Sequence, residues 1–120
     1  MIHGVGVDIV DVERFKKAAK KRGEGFYRRL FTGVELDYCM SKRFPERHLA
    51  ARFAAKVSLF KATGKRLRFR EVEVANSPDG TPFLRVLDGG PVGVDYRLTL
   101  SHTGRLAVAC IIVEGEDEGR

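Results

Sequence analysis

The stretch that decides the fold is Arg52-Phe53-Ala54-Ala55-Lys56-Val57-Ser58-Leu59-Phe60-Lys61. It lies in a segment from Glu46 to Gly64 with no proline and no glycine before its last residue, which predicts about five turns of helix. Two adjacent faces of this helix differ in character. One face is apolar and consists of Leu49, Phe53 and Phe60. The other has small side chains followed by a cation, namely Ala50, Ala54, Val57 and Lys61. Taken alone, the helix favours a core element with a solvent-reaching lysine over a ligand site.

The composition favours one compact domain in the cytoplasm. The chain has 120 residues, 43% of them hydrophobic, which is enough for one core but too few for two. No apolar run approaches the roughly 20 residues of a membrane span, and the N-terminus begins a strand-like pattern instead of a signal peptide. Cys39 and Cys110 form no CxxC motif, so we expect two buried, reduced thiols.

The charge is distributed unevenly along the chain. Residues 1–70 contain 18 Lys and Arg against 7 Asp and Glu, whereas residues 71–120 contain 4 against 9. The first part, with a net charge of +11, is therefore expected to meet an acidic partner. Nucleic acid has only this charge in its favour, because the chain has no tryptophan and no RNP or zinc-finger motif.

The N-terminal segment from Ile2 to Val10 alternates as a strand does. We expect the face of His3, Val5, Val7 and Ile9 to be buried. The opposite face has two glycines followed by Asp8, an arrangement that weakens a strand unless another group approaches its backbone closely. Asp11 suits the cap of the next helix better, so Asp8 is left either as a turn residue or for chemistry.

A basic helix follows from Val12 to Arg22. Residues 14–22 include six basic side chains and no acidic one, so like charges repel each other at i,i+4 spacing. An acidic partner would relieve this repulsion. We therefore interpret Arg14, Lys17 and Lys21 as part of a docking surface rather than as a solubility device.

The rest of the chain predicts short helices and then antiparallel strands. Phe26 to Phe31 is a short helical turn, and Thr32 with Glu35 forms a capping box for a helix through Met40. Beyond Gly64 the apolar period changes to two, with a hairpin around the turn Asn76 to Pro82 and strands at Tyr96–Ser101 and Leu106–Val113. Residues 1–113 are predicted to form one module, and the acidic tail 114–120 is predicted to be disordered.

Three segments resemble the holo-acyl-carrier-protein synthases, the short single-module members of the 4′-phosphopantetheinyl transferase superfamily. They are Gly4 to Val10, Arg52 to Gly64, and Leu98 to His102 continued by Ala107 to Ala109. Order and spacing agree over essentially the whole chain. The resemblance implies an α+β fold in which the N-terminal strand and the C-terminal strands form an antiparallel sheet packed on the long central helix.

The resemblance also implies the activity. It is transfer of the phosphopantetheine arm of coenzyme A to a serine of an acidic acyl carrier protein, with release of 3′,5′-ADP, a step of fatty acid biosynthesis. Asp8 would bind Mg²⁺ and take part in catalysis with Lys61, and the proton of the serine would leave to Asp8 or to a water on the metal. Coenzyme A would contact Lys61, Gly64, Pro82, Ser101, His102 and Thr103. A homotrimer with sites between subunits would follow, while His3 and His48 match no motif and are interpreted as structural.

One position departs from the family pattern. Val57 occupies the position of a glutamate that is the second carboxylate at the magnesium, and valine offers no oxygen to a hard cation. Ser58 points about 100° away around the helix and cannot replace it. Water filling the vacancy, an altered residue and a coenzyme A-binding homologue with little catalysis are the three interpretations. A basic nucleic-acid-binding domain is the more distant alternative.

Overall fold

The computed structural model describes residues 1–116, which form a three-stranded sheet, a separate hairpin and four helices. The sheet has the order β1-β5-β4, with both pairs of strands antiparallel. The elements are β1 Ile2–Asp11, α1 Val12–Arg22, α2 Phe26–Leu30, α3 Gly33–Met40, α4 Pro45–Thr63, β2 Val72–Asn76, β3 Pro82–Val86, β4 Val94–His102 and β5 Leu106–Gly115. The predicted α+β class and the sheet of N-terminal and C-terminal strands packed against the central helix are confirmed.

The glycine face of β1 packs directly on α4. A Cβ atom added at Gly6 would lie 1.9 Å from the backbone oxygen of Ser58, and one at Gly4 would lie 2.0 Å from that of Ala62. Only glycine therefore permits this contact, which sets α4 across the sheet and brings its side chains beside Asp8.

The prediction that the Val/Ile face of β1 is buried is wrong. Val5, Val7 and Ile9 are 59%, 53% and 63% exposed, respectively. Successive residues of a strand point to opposite faces of the sheet. In β1 the face of Gly4 and Gly6 is the one that packs against α4. The apolar side chains of β1 are consequently left on the outer face of the sheet.

The predicted helix ends are present. Asp11 Oδ1 accepts a hydrogen bond from the backbone N–H of Arg14 at 2.9 Å, so Asp11 caps α1 and leaves Asp8 free of that task. Thr32 and Glu35 form the capping box of α3. Gly64 ends α4 in the left-handed conformation, with φ of 69°.

A buried ion pair joins α3 to α4. Lys56 and Glu35 are both fully buried, and the Lys56 Nζ atom lies 2.7 Å from Glu35 Oε1. The ammonium also donates to the backbone oxygens of Leu30 and Phe69, while Glu35 Oε2 accepts from the backbone N–H of Val74. Burial lowers the pKa of Lys56, and the carboxylate of Glu35 opposes this shift. The pair thus fixes α4 against four other segments of the core.

Several boundaries differ from the sequence prediction. The hairpin begins at Val72 rather than Leu67, because a 3₁₀ turn at Phe69–Glu71 comes first. Strand β5 continues to Gly115, so the start of the predicted tail is ordered by pairing with β1 and β4, and residues 117–120 lie outside the described part. Cys39 is fully buried, which raises the pKa of its thiol to about 11, but Cys110 is only half-buried. No helix within residues 1–116 is both long and apolar enough to cross a membrane.

Candidate active site

An open groove of about 640 Å³ lies between the end of β1, α1 and α4. Its walls are mainly apolar, and its polar members at the rim are Asp8, Asp11, Arg14 and Arg22. The apolar lining consists chiefly of Phe15, Phe26, Leu30, Phe53, Val57 and Phe69. Because Asp11 is occupied with capping α1, Asp8 is the carboxylate of the groove that can serve chemistry.

Asp8, which lines this groove, pairs with Lys61 of α4. The Lys61 Nζ atom lies 3.1 Å from Asp8 Oδ1 and also donates to the backbone oxygen of Val7 at 3.1 Å. The lysine reaches back along α4 toward the N-terminus, as helical side chains do. The side chain of Lys61 is 53% exposed, whereas that of Asp8 is 17% exposed. The cation can therefore turn toward an anion in solution while the carboxylate stays in place.

Neither Val57 nor Ser58 places a second oxygen beside Asp8 that could bind a metal ion. Val57 lines the groove with its methyl groups. Ser58 is fully buried and its hydroxyl donates to the backbone oxygens of Ala54 and Ala109. This confirms that Ser58 is turned away from the site. Within residues 1–116 no group of three or more His, Cys, Asp or Glu could hold a metal ion.

A second polar cluster lies at the other end of α4. The rings of His48 and His102 make an edge-to-face contact with centroids 4.7 Å apart, and the guanidinium of Arg52 lies 4.5 Å from the centroid of the Tyr38 ring. Arg52 is 2% exposed, and its Nη atoms donate to the backbone oxygen of His48 and to Asn76 Oδ1. Its Nε atom is buried and has no hydrogen-bond partner within residues 1–116.

The pKa of each histidine of this cluster is lower than usual. Burial, together with the neighbouring His102 and the positive charge of Arg52, lowers the pKa of His48 to about 4. His102 is exposed, but partial desolvation of its ring, helped by the positive charges of Arg47 and Arg52, also lowers its pKa. The cluster was missed by sequence reasoning except for His102. The residue that could have indicated this cluster in the sequence is Arg52, an arginine among alanines at a helix position that faces the core.

The other predicted cofactor residues do not gather at one place in a single chain. Gly64 is at the end of α4, and Pro82 begins β3. Ser101 points to the outer face of the sheet, opposite to the inner face that carries His102, while the Thr103 hydroxyl accepts hydrogen bonds from the backbone N–H groups of Arg105 and Leu106. His48 and Lys61 are separated by 13 residues of α4, or about 20 Å along its axis.

The predicted docking residues share one exposed surface. Arg14, Lys17 and Lys21 all lie on α1 with their side chains exposed. Arg14 also stands at the rim of the groove that contains Asp8. The basic surface and the groove are thus continuous, and a partner bound to α1 would lie over Asp8.

Comparison with known proteins gives a consistent result. The family model described as the 4′-phosphopantetheinyl transferase superfamily matches residues 4–111. A holo-[acyl-carrier-protein] synthase of Thermodesulfovibrio yellowstonii is 41% identical over 117 residues, covering 94% of this chain and 99% of that protein. One from Geobacter metallireducens is 40% identical, with coverage of 95% and 98%. The crystal structure of the Bacillus anthracis synthase in complex with CoA (3′,5′-ADP) is similar with a TM-score of 0.83 at 30% identity, covering 97% of this chain and 99% of that chain.

Proposed function

This chain belongs to the holo-acyl-carrier-protein synthase family of the 4′-phosphopantetheinyl transferase superfamily, and we propose that it modifies an acyl carrier protein from coenzyme A. In this reaction a serine hydroxyl of the carrier attacks the phosphorus nearest the pantetheine arm. The bond to the departing 3′,5′-ADP breaks, and the hydroxyl proton passes to Asp8 or to water in the open groove. The observation that carries the proposal is the pairing of Asp8 with the half-exposed Lys61 beside a basic docking surface.

Lys61 is proposed to bind the diphosphate of coenzyme A. Its ammonium contacts Asp8, which lines the groove, and is held by that carboxylate and by the backbone oxygen of Val7. Negative charge builds on the leaving 3′,5′-ADP, and a fixed cation next to that charge stabilises the transition state more than the bound substrate. Asp8 orients the ammonium toward the groove until the diphosphate enters.

Mg²⁺ is proposed to be held by Asp8 together with the oxygens of the diphosphate. Mg²⁺ in proteins commonly keeps several waters and uses only one or two carboxylates plus substrate phosphates. One carboxylate, that of Asp8, is therefore enough to bind an ion that enters together with coenzyme A. It is too few to hold an ion when coenzyme A is absent. When bound, the ion supplies further positive charge to the diphosphate.

Replacing Val57 by glutamate should strengthen the response to Mg²⁺. The added carboxylate would face the groove beside Asp8, and we expect the Mg²⁺ concentration for half-maximal rate to fall by at least about tenfold, the smallest effect common for groups that support a metal site. The matched control is Val57→Gln, which has the same length but no charge. Steady-state rates across a Mg²⁺ titration measure the effect, and equal Mg²⁺ requirements in all three proteins would contradict it.

The protein is further proposed to assemble as a homotrimer with sites between neighbouring subunits. The outer face of the sheet carries the exposed Val5, Val7 and Ile9 of β1, and across the ladder Val108, Cys110 and Ile112 of β5 point the same way. Association with a second copy of the chain would remove these apolar side chains from water. The threefold order follows the family resemblance, and it would bring Lys61 of one subunit near the histidine cluster of the next.

A charge on this outer face should separate the subunits. Val7→Lys places an ammonium in the middle of the apolar face, where it would have no partner. Size-exclusion chromatography with light scattering should show monomers, and the transferase rate should fall at least about tenfold because each site is left without its neighbour. Val92→Lys, at a fully exposed apolar residue in the β3–β4 loop, serves as the control. A monomeric wild-type protein with full activity would refute the assembly.

The transferase activity itself is tested by mass spectrometry of the carrier. Incubation of the protein with coenzyme A, Mg²⁺ and an apo acyl carrier protein should add about 340 Da, the mass of the phosphopantetheine arm. An unmodified carrier at high protein concentration would reject the proposal. If the carrier is unmodified but coenzyme A still binds, the protein is a coenzyme A-binding homologue with little catalysis. This is the alternative that Val57 suggests.

A further inference from the structure

The ammonium of Lys56 ties together two segments that are distant in the sequence. It donates to the backbone oxygen of Leu30 at 2.8 Å and to that of Phe69 at 2.9 Å. Leu30 ends α2, and Phe69 begins the 3₁₀ turn before β2. A third hydrogen bond, of 2.7 Å to Glu35 Oε1, fixes the ammonium itself. An ammonium has three donors, so Lys56 uses all of them within the fold.

The same two segments form part of the wall of the groove that contains Asp8. Leu30 and Phe69 both line the groove. The ring of Phe69 stacks on that of Phe53, another lining residue, with centroids 5.4 Å apart and planes inclined by 12°. The side chain of Lys56 is fully buried. Lys56 therefore holds this wall from the inside of the protein.

Helix α2 is too short to be stable by itself. It has five residues, and isolated helices shorter than about 12 residues are marginal in water. Its N-cap residue, Gly25, makes no side-chain capping bond. The last carbonyl groups of a helix have no partner within the helix, and Lys56 supplies one to the oxygen of Leu30. The position of α2 beside the groove thus depends on this hydrogen bond as well as on apolar packing.

We propose that Lys56 is a positioning residue for the carrier protein, because it fixes the Leu30 and Phe69 wall of the groove that contains Asp8. The inference rests on the proposed function. In that function the carrier enters the groove and brings a serine hydroxyl to the diphosphate beside Asp8. A misplacement of about 1 Å in such an approach can cost about a hundredfold in rate, even when its cause lies away from the reacting atoms.

The two substrates should respond differently to the loss of Lys56. The diphosphate of coenzyme A is assigned to Lys61, whose ammonium is held by Asp8 and by the backbone oxygen of Val7. These contacts do not involve α2 or the 3₁₀ turn. A displaced wall should therefore impair use of the carrier while binding of coenzyme A is kept.

A neighbouring buried carboxylate provides a matched control. Glu73 is 3% exposed and accepts hydrogen bonds from the Thr32 hydroxyl at 2.6 Å and from Arg85 Nε at 2.7 Å. None of these three residues lines the groove. Glu73→Gln should therefore disturb a buried polar contact of the same core without releasing the groove wall.

Steady-state kinetics of the charge-free double variant Glu35→Leu/Lys56→Met test the proposal. At saturating coenzyme A we expect kcat/KM for the apo carrier to fall at least about tenfold, while KM for coenzyme A stays within about twofold of wild type. Glu73→Gln should keep both constants within about twofold. An equal loss toward both substrates in the double variant, or a similar loss in Glu73→Gln, would overturn the proposal, because Lys56 would then act through general stability alone.

Amide hydrogen exchange reports on the wall itself and needs neither substrate. Exchange in segments 26–31 and 67–71 should be at least about tenfold faster in the double variant than in wild type, with a much smaller change in β5. Glu35→Gln keeps one acceptor oxygen for the ammonium, and it takes the place of the double variant if that protein does not fold. Unchanged exchange of the two segments in the variant that folds would overturn the proposal.

The outcomes separate this inference from the proposed function. A wild-type protein that modifies the carrier, together with a folded variant whose kcat/KM for the carrier is unchanged, would reject the inference alone. A wild-type protein that leaves the carrier unmodified would reject the proposed function and with it any role of Lys56 in carrier binding.

Discussion

Replacing Lys61 by methionine is expected to lower kcat of carrier modification by about two to three orders of magnitude, the loss typical when one group that stabilises transition-state charge is removed. Methionine keeps the length and flexibility of the side chain and removes its charge. The ammonium is half-exposed and its pair with Asp8 adds little to stability, so the fold should persist. The loss should appear in kcat more than in KM, because the charge to be stabilised grows as 3′,5′-ADP leaves.

Lys61→Arg and Arg68→Ala provide the comparison for this variant. The arginine at position 61 keeps the charge and should retain more activity than methionine. Arg68 has an exposed side chain that pairs with the nearby Glu71, and its loss should leave the rate unchanged. Rates are measured as incorporation of the arm into apo carrier protein at saturating coenzyme A. A Lys61→Met variant within about threefold of wild type would show that this cation does not act on the leaving group.

Replacing Glu35 by alanine is expected to lower the free energy of unfolding by about 3 to 5 kcal/mol, since it leaves a buried ammonium without its counter-ion. Lys56 Nζ would keep only the backbone oxygens of Leu30 and Phe69. The backbone N–H groups of Thr32 and Val74 would also lose their acceptor. The free energy of unfolding of a domain is commonly about 5 to 15 kcal/mol, so this loss would remove a large part of it.

Urea unfolding of three proteins measures this loss. Asp37→Ala removes an exposed carboxylate from the same helix and should change stability by less than about 0.5 kcal/mol. The double variant Glu35→Leu/Lys56→Met removes both charges and should recover part of the loss, because replacing a buried pair with apolar groups is often neutral. A Glu35→Ala protein within 1 kcal/mol of wild type would contradict the role of the pair.

The sequence was sufficient for the elements because their local signals agreed. Asp11, the Thr32 and Glu35 box, and Gly64 each mark a helix end by chemistry that is local to a few residues. The face of β1 was not predictable in this way. Alternation shows that two faces exist, but which one meets α4 depends on a backbone contact at Gly6 across more than fifty residues.

The candidate site was predictable only in part for a similar reason. Asp8 and Lys61 could be brought together because the resemblance names both positions, and the structure places them in contact. Arg52 and His48 lie on the central helix where an apolar pattern is expected, so their convergence with His102 depends on tertiary packing. The sequence assigned no role to Lys56, which is completely buried in its pair with Glu35.

The most direct measurement is a crystal structure of the protein with coenzyme A. The expected result is a diphosphate within hydrogen-bond distance of Lys61 Nζ and next to Asp8 of one subunit, with the 3′-phosphate against Arg52 and His102 of a neighbouring subunit. Coenzyme A bound away from the groove, with the Asp8–Lys61 pair of 3.1 Å unchanged and no phosphate near either residue, would contradict the assignment of the active site.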